Sequence, residues 1–191
     1  MLLDWVMSIF VASIAAVAMV STVTAVMDVD ASSYSVNLAM ESVVTTISSH
    51  INRVEGLSGN VTESFSFNGT GSVSLPANAG ATPFPYRTIP YSLAFTRDVI
   101  LVAANVSAGY VSSWSSFSNP VYLLKWSDFQ NVTKVPYLDY KQLQTIDQSC
   151  LYITAGMPFS LTLKEVWVDG AAEYLPLIYL PGYTYAWPSC P

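Results

Sequence analysis

"MLLDWVMSIFVASIAAVAMVSTVTAVMDVD", residues 1–30, decides how the rest of the chain is read. From Trp5 to Met27 it runs 23 residues without a charge, bounded by Asp4 on one side and by Asp28 and Asp30 on the other, with no Lys or Arg. About 20 such residues cross the roughly 30 Å hydrocarbon core of a bilayer. A helix apolar on every side must be buried on every side, in lipid or in protein. A secretory signal instead carries a basic n-region, a shorter apolar core and a small-residue cleavage site. Here there is no basic residue, and helical pattern continues past the apolar run.

The helix breakers lie elsewhere. All nine Gly and all eleven Pro follow residue 55, as do most of the aromatic residues. Composition therefore divides the chain into a helical part, 1–55, and a β part, 57–191. A continuous helix over 1–55 would be a rod of roughly 80 Å, apolar over 1–27 and amphipathic over 28–55. In the second half Met40, Val44, Ile47, Ile51 and Val54 recur at spacings of three and four, with Tyr34 and Leu38 earlier on the same reading, while Ser, Thr, Asn and Glu fill the other face. Such a stripe is expected to pack on the domain that follows. Gly56 marks the helix end, and Arg53 suits the negative end of its dipole.

Beyond residue 57 the runs "VTESFSF", "GSVSLP", "YSLAF", "DVILVAANVS", "VYLLKW", "CLYITAG", "FSLTLKEVWV" and "YLPLIYL" are separated by turn residues. They predict short strands around one core. Phe159, Leu161 and Leu163 alternate with Ser160 and Thr162, the pattern of a strand with one buried face. Asp169-Gly170 is a hairpin signal. The expected fold class is therefore α+β: a long N-terminal α-helix followed by an all-β, Ig-like sandwich.

Charge narrows the function. Only 10% of residues are charged, the net charge is −6 and the pI is about 4.4. The basic residues Arg53, Arg87, Arg97, Lys125, Lys134, Lys141 and Lys164 are scattered, without the clustered footprint of nucleic-acid binding. His50 is the only histidine and falls near the end of the helical part. There it suits the helix dipole rather than a catalytic triad. No nucleotide-binding or metalloprotease motif is present, and no catalytic, cofactor-binding or metal residues are expected. Asp28 and Asp30 point about 200° apart on a helix and do not converge on one cation.

The two cysteines, Cys150 and Cys190, either form a disulfide, as suits an exported chain, or stand as two buried thiols. Four glycosylation sequons begin at Asn60, Asn68, Asn105 and Asn131. Each is either a glycan acceptor, adding the solubility that the missing charge does not, or an ordinary Asn turn.

An apolar segment, an unbroken amphipathic continuation and a β-rich C-terminal domain together resemble a type IV pilin. The low charge and the Ser/Thr/Tyr-rich, sequon-bearing domain are most similar to the archaeal pilins and archaellins. The resemblance implies a mature subunit, already separated from a basic leader, held in the cell membrane before assembly and then extracted into an extracellular helical homopolymer. The filament core would be packed by Trp5, Ile9, Phe10, Ala12, Ile14, Ala15, Ala16, Val17, Met19 and Val20, and the β domain would face outward toward surfaces or other cells. Adhesion and motility are the two tasks such filaments serve. Bacterial members use a Glu at the fifth position to meet a neighbour's terminal amine. Here Trp5 stands there, and Asp4 takes that role or simply stabilises the helix N-terminus by about 0.3–1 kcal/mol. Apart from the resemblance, the same residues fit a single-pass anchor carrying a ligand-binding β domain.

Overall fold

The computed structural model describes residues 18–19, 33–54, 56–57, 59–82, 87–106, 109–135, 138–184, 188 and 190. The amphipathic stripe forms helix α1, residues 33–54. Val36, Met40, Val43, Val44, Ile47, Ile51 and Val54 are buried along one side of it. Tyr34 and Leu38 are not on that side; they are 71% and 55% exposed. Val36 and Val43 set the buried line instead, because Tyr34 lies about 120° round the helix from Met40. The helix closes with Gly56 N–H donating to Arg53 O at 3.3 Å.

Among the described residues twelve strands follow. β1 (Thr62–Ser66), β2 (Val73–Ser74), β8 (Tyr122–Leu124), β9 (Leu138–Asp139), β11 (Phe159–Val168) and β12 (Ala171–Tyr179) make a large sheet ordered β2-β1-β11-β12-β8, with β9 also pairing β11. β5 (Tyr91–Thr96), β6 (Val99–Val106), β7 (Gly109–Ser116) and β10 (Cys150–Thr154) make a small antiparallel sheet ordered β10-β5-β6-β7. β3 (Gly80–Thr82) and β4 (Arg87–Ile89) pair with each other. The β11–β12 hairpin turns on Asp169 and Gly170, at φ 50° and 87°. Positive φ at both central residues is what a two-residue type I′ turn requires, and it suits Asp-Gly.

The register sorts β11 onto two faces. Phe159, Leu161 and Leu163 join α1 and the inner faces of β5, β6 and β10 in one buried cluster. Phe159 stacks on Phe65 at 4.5 Å and meets Phe95 of the small sheet at 5.2 Å. Val166, with Leu177 and Tyr179 of β12, lies in a second cluster under two short helices, α2 (Trp126–Val132) and α3 (Tyr140–Ile146). There Phe129 stacks on Tyr179 with 3.5 Å between ring centroids. The strand expected to bury one face buries both. Ser160, Thr162 and Lys164 are covered as well, and Thr162 Oγ1 lies 3.0 Å from Thr62 Oγ1 and 3.3 Å from the Tyr179 hydroxyl.

The expected fold class is thereby corrected. The described chain is mostly β, 43% strand, with short helices of which 33–54 is the longest, rather than α+β with one long helix set apart from an all-β sandwich. α1 is built into the β core, and α2 and α3 lie inside the region read as all β, because the second face of the large sheet needs a cover. The β-rich fold is consistent with an Ig-like one, with a difference in strand pairing. β1/β2, β8/β12 and β9/β11 pair in parallel, whereas Ig-like sheets are antiparallel. A single expected core becomes two clusters, one on each face of the large sheet.

Candidate functional site

α1 is fastened to the sheet by charge as well as by packing. Glu63 of β1 points inward, only 8% exposed. Its carboxylate accepts from His50 Nδ1 at 2.7 Å and pairs with the Arg53 guanidinium. The His50 ring also sits edge-on to Phe65 at 5.9 Å. The lone histidine thus crosses to the sheet instead of acting only on its own helix end. A buried carboxylate paired with a guanidinium and hydrogen-bonded to an imidazole avoids the cost of an unpaired charge. Farther along, the Asn52 side chain accepts from Ser118 N–H at 3.1 Å.

Cys150 and Cys190 form the disulfide, with Cα atoms 5.7 Å apart across 40 positions. Next to it Tyr152 N–H donates to Pro188 O at 2.7 Å, so Pro188 and Cys190 both meet the outer edge of β10. The four sequon asparagines are exposed but sit in different backbones. Asn68 Oδ1 accepts from the Thr70 hydroxyl at 2.6 Å and from the Thr70 N–H at 3.3 Å. Asn131 is in the last turn of α2, where the Thr133 hydroxyl donates to Gln130 O at 3.0 Å instead. Asn60 precedes β1, and Asn105 is on β6. Of the filament-core residues only Met19 is described; it is helical and 68% exposed. Asp4, Trp5, Ile9, Phe10, Ala12, Ile14, Ala15, Ala16, Val17 and Val20 lie outside the described residues. Among the described residues no helix is long and apolar enough to cross a membrane.

The outer face of the small sheet is a further candidate, absent from the sites expected from sequence. Its register stacks three rows across the strands. Tyr152, Ala94, Leu101 and Trp114 form one row; Thr154, Ser92, Ala103 and Ser112 the next; Asn105 and Tyr110 begin the third. Trp114 and Tyr110 are 67% and 79% exposed and stand two residues to either side of Ser112, with Cα atoms about 13 Å apart along the strand. None of the four strands contains Asp, Glu, Lys, Arg or His. The signal was the period-two pattern of β7, "GYVSSWSS", in which the large aromatic residues occupy the outward positions.

A second polar cluster links the β5–β6 turn to β8 and α3. Arg97 Nη2 donates to the Tyr122 hydroxyl at 2.7 Å and to the Tyr140 hydroxyl at 3.2 Å, while its guanidinium lies 4.7 Å from the Tyr122 ring centroid. The Tyr122 hydroxyl donates to Tyr140 at 3.1 Å. Burial pushes Tyr122 up to about 12, and the hydrogen bond from Tyr122, helped by Arg97, lowers Tyr140. Tyr122 and Tyr140 border a cleft of about 450 Å³ that also has Glu173 and Asn119 on its wall. The cluster reads as a buttress between elements. Among the described residues no three metal-ligating side chains gather.

No family model, curated protein or solved structure matches the chain.

Proposed function

We propose that the chain is a structural subunit of an extracellular helical filament, similar to an archaeal pilin, assembled through residues 5–27 and displaying its β fold outward for adhesion. One observation carries this reading. An uncharged segment of membrane-spanning length leads toward a helix whose inner side is built into the β core, while Tyr34 and Leu38, at the end of α1 nearer that segment, remain exposed. Moving that segment from lipid into a bundle of identical copies costs little hydrophobic free energy, because both surroundings are dry. The Cys150–Cys190 disulfide suits an oxidising exterior.

Close approach between copies is favoured by the small residues Ala12, Ala15 and Ala16. Replacing Ala15 or Ala16 with Leu is expected to abolish filaments on the cell surface while the disulfide forms and the circular dichroism of the chain is unchanged. Normal filaments from both variants would overturn the reading.

A further inference from the structure

We infer that the outer face of the small sheet binds a neutral polysaccharide, held across the strands between Trp114 and Tyr110. The inference goes beyond filament assembly and does not depend on it. Exposed Trp and Tyr rings bury apolar area at low entropic cost and keep a polar atom at the rim, and the sheet holds these two at a fixed separation. Between them the row containing Ser92 and Ser112 is made of small side chains, so the face dips where the rings rise. Hydroxyls line the dip and Asn105 stands at its border, which supplies donors and acceptors for sugar hydroxyls.

Charge selects the class of ligand. With no ionisable side chain other than Tyr on the four strands, the face offers nothing to balance a phosphate, sulfate or uronate, and desolvating such a group there would cost free energy. An uncharged glycan meets no such penalty. The rings are not core residues left over, because the opposite face of the same strands carries the buried Leu93, Phe95, Ile100 and Val102. A second copy of the chain is the competing occupant, since β7 ends the sheet with its outer edge unpaired among the described residues and such edges accept strands.

The test is affinity electrophoresis of the full-length chain in gels containing laminarin, mannan or hydroxyethylcellulose, with dextran sulfate as the charged comparator. Retardation is expected in at least one neutral gel and not in dextran sulfate. Trp114→Ala and Tyr110→Ala are each expected to weaken it by about tenfold, the scale of one aromatic contact. Trp114→Phe, which keeps a ring, should restore most of it, and Tyr34→Ala, away from the sheet, should behave as wild type. Circular dichroism and an intact disulfide show that each variant is folded. The inference falls if no neutral gel retards the chain or if Trp114→Ala is retarded as strongly as wild type. It also falls if sedimentation shows a self-association that Trp114→Ala dissolves and polysaccharide leaves unchanged, since the face is then a contact between copies.

Discussion

The large sheet is covered on both faces, by α1 and the small sheet on one side and by α2 and α3 on the other. Among the described residues the small sheet is covered on one face only. Both contribute to the same buried cluster, and both contain long, regularly alternating strands. What differs is the fate of the second face: β11 hides even Ser160, Thr162 and Lys164, whereas β7 holds Trp114 and Tyr110 in solvent. The edges differ too, since Pro188 and Cys190 meet β10 while, among the described residues, the far edge of β7 pairs with no strand. The large sheet therefore carries stability, and the small one is free to carry recognition.

That division is easiest to break with a pair of truncations. Phe159→Ala removes a ring packed on Phe65 and Phe95 and is expected to cost about 3–5 kcal/mol in urea unfolding. Trp114→Ala is expected to stay within about 0.5 kcal/mol of wild type. Similar losses from the two would erase the distinction.

The disulfide sharpens it next. Replacing Cys150 and Cys190 together with Ser is expected to cost about 2–4 kcal/mol. Hydrogen exchange should rise first at Tyr152, whose N–H bonds to Pro188, and in β10 before β11. Uniform loss of protection across both sheets would contradict the local role given to the tail. A smaller effect, about 1 kcal/mol, is expected for Glu63→Gln, because Arg53 is largely exposed and its pairing is screened. That loss should appear as earlier exchange in α1 than in the sheets.

Asp147 gives the smallest effect. Burial holds its carboxyl above the usual carboxylate range, partly opposed by the Leu123 N–H and by Arg97. The folded chain therefore keeps this proton more tightly than the unfolded one, so stability falls as pH rises from about 4 through the raised value. Asp147→Asn keeps an oxygen to accept from Leu123 N–H and removes that slope. Unfolding free energies measured against pH should then be flatter in the variant and, at neutral pH, equal to or slightly above wild type.

Much of this fold is legible in sequence, for reasons visible at particular residues. The β11–β12 hairpin announces itself because Asp-Gly supplies the two positive φ angles and alternation marks the strands. The stripe from Met40 to Val54 is legible because it repeats over four turns, long enough for the 3.6-residue period to show; at Tyr34 and Leu38 hydrophobicity alone misplaces its start. α2 and α3 are not legible, since seven residues such as "WSDFQNV" hold too few turns to show a period. Reading β11 as half-buried fails for the same reason, because the cover on its second face comes from helices that leave no signal. The aromatic face is hidden differently. Its rows join residues from 92 to 154, and only the pairing of four strands brings Tyr152, Leu101 and Trp114 into line. The partnership of His50 with Glu63 likewise depends on how α1 is laid against β1.

Everything assigned to residues 5–27 converges on one measurement. Intact cells are sheared, the released material is viewed by negative-stain microscopy, and its subunits are identified by mass spectrometry, with the membrane fraction assayed in parallel. The account predicts thin filaments whose principal subunit is this chain, with the Cys150–Cys190 bridge intact. Recovery of the chain only from detergent-extracted membranes, and never from filaments, would contradict it.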